Sequence, residues 1–435
     1  MPPLAADLAF RGLVHQVTDP SLPGRLDHDP VTAYIGFDPT ADSLHIGSLL
    51  QLCMLRRLQA AGHRPVAVAG GGTGVIGDPG GKADERPLLD EDQLHANLAG
   101  IRPQLERFLD FDGPAGATLV DNGDWLRSLP LVDFLRDVGK HFTVNQMVAK
   151  ESVRARLERP DHGISYTEFS YMLLQAYDFL HLYDHYGCTL QIGGSDQWGN
   201  ITVGVDLIRK TRGATAYGLT TPLVLKADGT KFGKTESGSV WLDPGRTSPY
   251  RLYQFFVRTE DADVGDHLRY FTFLDHDTIR ELDEQTSRHP ERRDAQRALA
   301  RAVCQLLHGD DETRRAEQAA AALFSGSVAV LDEAMLLEVC AEAPSTAVSR
   351  GALDGAGLPL VDALVAGGLA PSKSRARTLI DQGGVSVNDR KVDDADRRLH
   401  RDDLVYDRYV ILRKGKRDYH LLRVDERRGP AEESP

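Results

Sequence analysis

Four short stretches hold residues whose types and spacing could do chemistry on a phosphate ester. In residues 34–48 a β-rich run passes through Phe37-Asp38-Pro39-Thr40 into a tight loop, and a helix begins near His45-Ile46-Gly47. The first turn of a helix has backbone N–H groups without intrahelical partners and a partial positive charge, and both suit phosphate. Gly47 has no Cβ to hold a nucleotide base away, and His45 can donate to charge that grows on a phosphate during displacement. Taken alone, His-x-Gly is also the pattern of a capping histidine beside a packing glycine. Residues 70–82 contain Gly70-Gly71-Gly72-Thr73-Gly74 and Asp78. The spacing G-x-x-x-x-G-K-[ST] of a phosphate loop is absent, because Ala83 follows Lys82. Asp78 in such a loop suits an ammonium group.

Residues 191–200 form another strand-to-loop-to-helix edge, with Asp196 placed to accept from ribose hydroxyls beside Gly193 and Gly194. In residues 226–235, Lys231 and Lys234 stand three apart in a Gly-rich loop. They could clamp a polyphosphate, or they could be solvated lysines of an exposed turn.

These loops need a frame that brings them to one edge. Residues 31–37, 65–70, 117–121, 188–193 and 222–226 read as strands. Residues 46–61, 91–109, 131–138, 142–156, 167–182 and 198–212 read as helices between them. Such alternation predicts a parallel sheet covered on both faces, with ligands at the carboxyl ends of its strands. Helices are expected at 250–258, 263–273, 276–287 and 291–307, as a small helical domain. An Ala-, Ser- and Glu-rich linker is expected at 326–350. The last unit, 351–428, reads as two short helices, a strand at 385–387 turning at Asn388-Asp389, and a late hairpin near Lys414-Gly415-Lys416.

Composition is that of a globular protein: 435 residues, 41% hydrophobic and 26% charged. That length suggests two or three domains. No apolar run approaches membrane-spanning length, and the first twenty residues read as an amphipathic helix rather than a leader. Cys53, Cys188, Cys304 and Cys340 are far apart, which indicates neither a zinc site nor a disulfide framework and fits a reducing cytoplasm. The net charge of -13 is uneven. Residues 371–428 carry 16 Lys/Arg against 11 Asp/Glu, so a basic tail follows an acidic body. That distribution suits an RNA-binding appendage, or a mixed-charge solvated surface.

Taken together, the four stretches resemble the bacterial-type tyrosyl-tRNA synthetases, a family of class I aminoacyl-tRNA synthetases. His45-Ile46-Gly47-Ser48 is similar to the first class I signature and Lys231-Phe232-Gly233-Lys234-Thr235 to this family's second. Gly77-Asp78-Pro79 and residues 169–178 and 191–200 match family-specific stretches, in order, over nearly the whole chain. The resemblance implies a Rossmann-like parallel-sheet catalytic domain over 1–231. A signature loop and helical domain would follow over 232–325, then the linker, an S4-like α+β RNA-binding domain over 351–428, and a tail over 429–435. It implies activation of L-tyrosine by ATP, accompanied by Mg²⁺, and transfer to tRNA(Tyr) by a cytoplasmic homodimer. The dimer would meet through Tyr166 and the 131–147 region.

Site roles follow from the same resemblance. Tyr34 and Asp178 would hold the phenol, Asp78, Tyr171 and Gln175 the α-ammonium, and Gln197 the carboxylate. His45, Thr40, Lys82, Arg86, Lys231 and Lys234 would stabilise the reacting phosphates. Gly36, Asp38, Gly47, Ser48, Gly194, Asp196 and Thr235 would complete the ATP site. Arg209, Lys210, Lys373, Arg375, Arg377 and Asn388 would contact tRNA. Ser48 and Thr235 depart from the residues usual in the family, and neither change removes a charge. A tryptophan-specific relative is disfavoured by Tyr34 and Asp178, and a non-catalytic paralogue by the intact signature His and Lys. A small-molecule adenylyltransferase would not need the S4-like tail.

Overall fold

The computed structural model describes residues 2–78, 89–150, 153–154, 157, 163–225, 232–235, 238–325, 331–341, 343–415 and 418–425. The chain divides into two compact units. The first comprises Met1–Ser248 with Phe255–His308, and the second Pro249–Gln254 with Gly309–Pro435.

A six-stranded sheet organises the first unit. Its strands are β1 (Gln16–Val17), β2 (Thr32–Phe37), β3 (Arg64–Ala69), β4 (Thr118–Asp121), β5 (Cys188–Gly194) and β6 (Tyr217–Thr221), in the order β1-β6-β5-β2-β3-β4. After the edge strand β1, the chain enters the centre with β2, moves out through β3 and β4, then returns to the other side of β2 for β5 and β6. The loops leaving β2 and β5 therefore diverge, and a crevice opens between their carboxyl ends. This is where open α/β sheets bind ligands. The near-continuous apolar run of β3, Pro65-Val66-Ala67-Val68-Ala69, is buried throughout, as a strand covered on both faces must be.

Three expectations for this unit need correction. The sheet is mixed, because β1 pairs antiparallel with β6. A two-residue edge strand leaves no periodic signal. The strand expected at 222–226 lies earlier, at Tyr217–Thr221. Pro222 cannot donate to a ladder, so it ends the strand. Thr220 and Thr221 are nonetheless fully buried, and the Thr221 hydroxyl accepts from Gln51 Nε2 at 2.9 Å. The helix expected over 142–156 breaks after Val148. Val144–Val148 forms its first part, opened by a capping box between Thr143 and Gln146, and Val153 and Arg154 are helical again.

The long helix Tyr166–Tyr186 is capped by Ser165 and stopped by Gly187 in the left-handed region (φ 62°). It packs closely on Trp198–Arg212. A Cβ at Gly204 would come within 3.0 Å of the Phe179 ring, so only glycine permits this approach.

The N-terminal helix Leu4–Phe10 fastens onto the helical part of the same unit. Arg11 donates to the carbonyls of Thr272 (3.1 Å) and Leu274 (2.7 Å), and Arg57 donates to Thr272 (2.5 Å). These guanidiniums satisfy carbonyls that the helix Val264–Phe271 leaves open at its C-terminus. Asp7 answers them, 2.8 Å from Arg11 Nε and 2.8 Å from His276 Nε2. Burial opposes ionisation of Asp7, but the hydrogen bonds from His276 and Arg11 hold its pKa below the usual value. The run Asp294–Ser325 is interrupted at Gly309 (φ 84°, ψ 177°), where the first unit ends.

Two short β-pairs and a second sheet complete the chain. In the first unit, β7 (Lys234–Thr235) pairs with β8 (Gly238–Ser239). In the second, β9 (Ser345–Ser349), β10 (Leu358–Pro359), β11 (Val385–Val387), β12 (Arg390–Val392), β13 (Arg398–Leu399), β14 (Tyr409–Lys414) and β15 (Asp418–Asp425) form a sheet ordered β12-β11-β14-β15-β9 and a β10-β13 pair. The span expected as a linker, 326–350, contains the helix Glu333–Val339 and β9, which lies parallel to β15. Ser-Thr-Ala-Val-Ser hides this strand because its neighbour β15 comes from seventy residues further along. The helices Leu360–Ala366 and Lys373–Asp381 cover the sheet through Leu360, Leu364, Ala376 and Ile380. Asn388 (φ 48°) and Asp389 (φ 65°) form the tight turn between β11 and β12. Among the described residues, no helix is long and apolar enough to cross a membrane.

Candidate active site

A cavity of about 310 Å³ lies at the carboxyl ends of β2 and β5. It is lined by the ends of both strands, the His45 turn, the Gly70 loop, Asn122 and one face of the helix Tyr166–Tyr186. Tyr171, Gln175 and Asp178 share that face at i, i+4 and i+7.

The closed end is built around Asp178, which is 3% exposed. One oxygen accepts from Asn122 Nδ2 at 2.9 Å and the other from Trp125 Nε1 at 2.7 Å. Burial dominates and pushes the carboxyl up to about 8, against the lowering effect of those two donors. Tyr34 stands on β2 with its ring tilted against Phe179 at 5.3 Å. Its hydroxyl is buried and has no hydrogen-bond partner among the described residues. A buried hydroxyl left unpaired costs free energy, so this end is built for a ligand that carries a polar atom.

Polar side chains crowd the next part of the cavity. Asp78 accepts from Gln197 Nε2 at 2.5 Å, and Gln197 Oε1 accepts from Gln175 Nε2 at 3.2 Å. Asn200 Nδ2 lies 3.0 Å from Gln175 Oε1. Tyr171 donates to Asp38 at 2.9 Å, and Asp38 also accepts from the Thr73 hydroxyl at 2.8 Å. Asp38, expected with the ATP groups, lines the cavity and is joined by these contacts to Tyr171 and the Gly70 loop. Burial, with Asp38 and Asp78 nearby, raises the Tyr171 pKa well above its ordinary value, so its hydroxyl stays protonated.

Toward the open end, a Cβ at Gly36 would meet nothing within 4 Å, which leaves space above β2. A Cβ at Gly194 would come within 2.6 Å of Asp196 Oδ1, and one at Gly193 within 2.8 Å of Gln197 Cβ. His45 Nδ1 accepts from the Gly47 amide at 3.0 Å. A neutral imidazole that accepts at Nδ1 carries its hydrogen on Nε2. A Cβ at Gly47 would strike the His45 ring at 2.7 Å, so this glycine serves the turn itself. The two readings of His-x-Gly therefore coexist, since the histidine caps the turn and also lines the cavity. Thr40 and Ser48 line it too. Lys82, Arg86 and Lys231 lie outside the described residues, and Lys234 and Thr235 are described only as backbone in β7.

The residues expected at tRNA divide. Arg209 is exposed and pairs with Asp206 at 2.5 Å. Lys210 is turned inward, donating to Asp206 (2.6 Å) and the His141 carbonyl (2.7 Å) over the Phe142 ring. Lys373 pairs with Asp362 at 2.7 Å and Arg377 with Asp396 at 2.9 Å, all at the surface. Arg375 lies exposed on the same helix. The Asn388 amide donates to the Asp403 carbonyl (2.6 Å) and accepts from Ile411 N (2.9 Å), so it also fastens the turn between β11 and β12.

Sequence reasoning missed Asn122, Trp125, Thr73 and Asn200. A signal for the first two was present. Asp121-Asn122-Gly123 ends a strand, as Asp38, Gly70 and Gly194 do.

Residues 26–325 match the family described as tRNA synthetases class I (W and Y), and residues 338–422 match the tyrosine--tRNA ligase SYY-like C-terminal domain. The tyrosine--tRNA ligase of Roseiflexus castenholzii is 56% identical over 419 residues, 96% of this chain and 98% of that protein. That of Opitutus terrae is 54% identical over 420 residues, 96% of this chain and 99% of that protein. Among solved structures, a C-terminally truncated mitochondrial tyrosyl-tRNA synthetase of Aspergillus nidulans is similar at TM-score 0.68 and 33% identity, covering 74% of this chain and 95% of that one. Matches of this length to both the catalytic and the C-terminal family models, in one chain with relatives over half identical, mean that the chain belongs to the tyrosine--tRNA ligases of class I.

Proposed function

We propose that the cavity takes L-tyrosine with its phenol between Tyr34 and Asp178, its α-ammonium among Asp78, Tyr171 and Gln175, and its carboxylate beside Gln197. ATP, as its Mg²⁺ complex, lies over Gly36, Gly47 and Gly194, with its ribose at Asp196 and Ser48. The observation that carries this reading is the unpaired, buried hydroxyl of Tyr34 beside a buried carboxyl. A phenol donates to Asp178 and accepts from Tyr34, which satisfies both, whereas an indole or a bare phenyl ring satisfies neither in full.

The chemistry then needs no base. The tyrosine carboxylate, already ionised, attacks the α-phosphorus of ATP. The bond to the bridging oxygen breaks, and pyrophosphate leaves with the electron pair. His45, through the hydrogen on Nε2, donates to the phosphate as charge grows there, with Thr40 and the cationic side chains Lys82, Arg86, Lys231 and Lys234. In the second step a hydroxyl of the terminal tRNA ribose attacks the adenylate carbonyl and AMP leaves. Residues 371–428, the basic part of the second unit, read as S4-like. Lys373, Arg375 and Arg377 on a Ser372-capped helix are offered to RNA backbone. A homodimer is supported by apolar side chains left open on one stretch of the first unit. Leu131 is 70% exposed, Val132 73%, Val144 63% and Tyr166 73%.

Specificity is read by pyrophosphate exchange with tyrosine and with phenylalanine. Tyr34→Phe is expected to weaken tyrosine use about tenfold, as the loss of one buried hydrogen bond predicts, and to leave phenylalanine use unchanged. Asp178→Ala should cost more, because Asn122 and Trp125 then lose their acceptor. A Tyr34→Phe enzyme that uses tyrosine at the parental KM means that the phenol binds elsewhere.

The raised pKa of Asp178 gives a pH dependence with a definite sign. The folded chain holds a proton up to about pH 8 that the unfolded chain releases near its ordinary value of about 4. Stability from this group is thus complete below about pH 4 and is lost as pH rises through 8. In urea titrations from pH 4 to 9, the parent should lose stability against Asp178→Asn as pH rises. Parallel pH profiles count against a protonated Asp178.

Removing residues 332–435 is expected to leave tyrosine-dependent pyrophosphate exchange and abolish tRNA charging. Charging at the parental rate by the shortened chain means that the second unit does not present the tRNA.

The dimer face is tested by Val132→Asp, which places a charge in the apolar stretch. Light scattering should show the parent as a dimer and the variant as a monomer at micromolar concentration. An unchanged mass puts the interface elsewhere.

A further inference from the structure

We propose that Arg246, Trp241 and Asp42 are positioning residues for adenylate formation, holding the His45 turn and the base of the lysine-bearing hairpin in one backbone register. The two signature regions are far apart in sequence yet stitched together. Ile46 N donates to the Val240 carbonyl at 2.9 Å and Leu242 N to the Leu44 carbonyl at 2.9 Å, with His45 and Trp241 opposite each other as an antiparallel bridge. Val240 N in turn donates to the Gly233 carbonyl at 3.1 Å. Gly233 has φ 87°, and a Cβ there would come within 2.1 Å of Ile46 Cγ2. The base of the second signature therefore rests directly on the first, at a position only glycine can fill.

A pairing this short has little cooperativity of its own, so its outer end needs a fastening. Arg246 supplies it. The guanidinium carbon lies 3.6 Å from the centroid of the Trp241 ring, and the same group pairs with the Asp42 carboxylate. Trp241 also presents its ring to His45, with centroids 6.4 Å apart and planes at 62°. At the near end the turn is internally tied: Trp241 N donates to Thr247 Oγ1 (2.9 Å) and Asp243 N to Ser43 Oγ (3.2 Å). Asp42 is itself backed by a helix, since a Cβ at Gly100 would meet its carbonyl at 2.0 Å. A cation over an aromatic face and a partly exposed ion pair are each modest interactions. Here both act on one guanidinium and close one backbone ladder. None of the three residues is among those lining the tyrosine cavity. Their loss should thus touch the geometry around the reacting phosphates and spare tyrosine binding.

The inference rests on the reading of His45 as a phosphate donor, so the experiment carries an arm for each. Full-length parent, Arg246→Ala, Arg246→Lys, Asp42→Ala, the Asp42→Ala/Arg246→Ala double variant and His45→Ala are compared by single-turnover formation of tyrosyl-adenylate, by the tyrosine Kd and by melting temperature. Arg246→Ala should form adenylate about tenfold more slowly, with tyrosine Kd within about twofold of the parent and the melting temperature unchanged. Arg246→Lys should recover most of the rate, because an ammonium can still sit over Trp241 and pair with Asp42. The double variant should be no slower than the slower single one, as for groups acting as a unit. A parental rate in Arg246→Ala with a slow His45→Ala overturns the positioning role alone. A parental rate in His45→Ala overturns the phosphate reading beneath it. Arg246→Ala that weakens tyrosine binding and melts earlier marks a general structural role and overturns the proposal as well.

Discussion

Placing a carboxyl group inside an apolar core is the constraint around which this site is arranged. Asp178 is 3% exposed, at the end of a cavity that Tyr34 also lines, with Trp125 and Phe179 in the adjoining apolar core. Such a group must be given donors, and they come from a different part of the chain, Asn122 and Trp125 beyond β4. Asn122 then does a second task with its other atoms. Its carbonyl accepts from Gly72 N at 2.7 Å, and its amide reaches the Thr73 hydroxyl at 2.9 Å. One carboxyl thus binds the ends of β3 and β4 to the helix Tyr166–Tyr186. Burying it costs free energy, and much of the loop architecture offsets that cost.

The same economy appears at the other end of the cavity. His45 and Gly47, which line the cavity, and Gly233, which lies against their turn, each serve the local backbone. The first caps its own turn, the second clears room for that ring, and the third lets the second signature lie against Ile46. Groups aimed at developing charge work best when they need not reorganise. Fixing them by backbone pairing and steric fit serves that end.

Much of this was legible in the sequence wherever a residue type was demanded by one local circumstance. The strand-end loops were visible because glycine, histidine and aspartate at such points have few other uses, and the helix Trp198–Arg212 was found with its bounds. What escaped had its cause at long range. β6 was expected too late in the chain, at 222–226, because threonines in an interior strand look polar until their partners are known. β9 was read as linker because its partner lies at the far end of the chain. Asn388 suggested RNA contact by type, and its partners Asp403 and Ile411 show that both halves of its amide also fasten a turn. Lys210 stands by its charge with the residues expected at tRNA, and only the placement of Phe142 and His141 shows it turned inward. Asn122 and Trp125 gave a strand-end signal, but their purpose depends on Asp178, fifty residues later.

The helix Tyr166–Tyr186 has a consequence for what the pocket can measure. Tyr171, Gln175 and Asp178 project from one face over seven residues, and an α-helix advances about 1.5 Å per residue, so the side chains proposed to hold the two ends of tyrosine are set about 10 Å apart along a single rigid rod. Amino-acid length is therefore gauged by peptide geometry, not by loop conformation. Exchanging side chains on this face can change which functional group is read at either tip, but it cannot lengthen the rod. A bulkier substrate would need a deeper notch on the same scale, cut one helical turn further along near Leu182 and behind Phe179, where the apolar core now closes it.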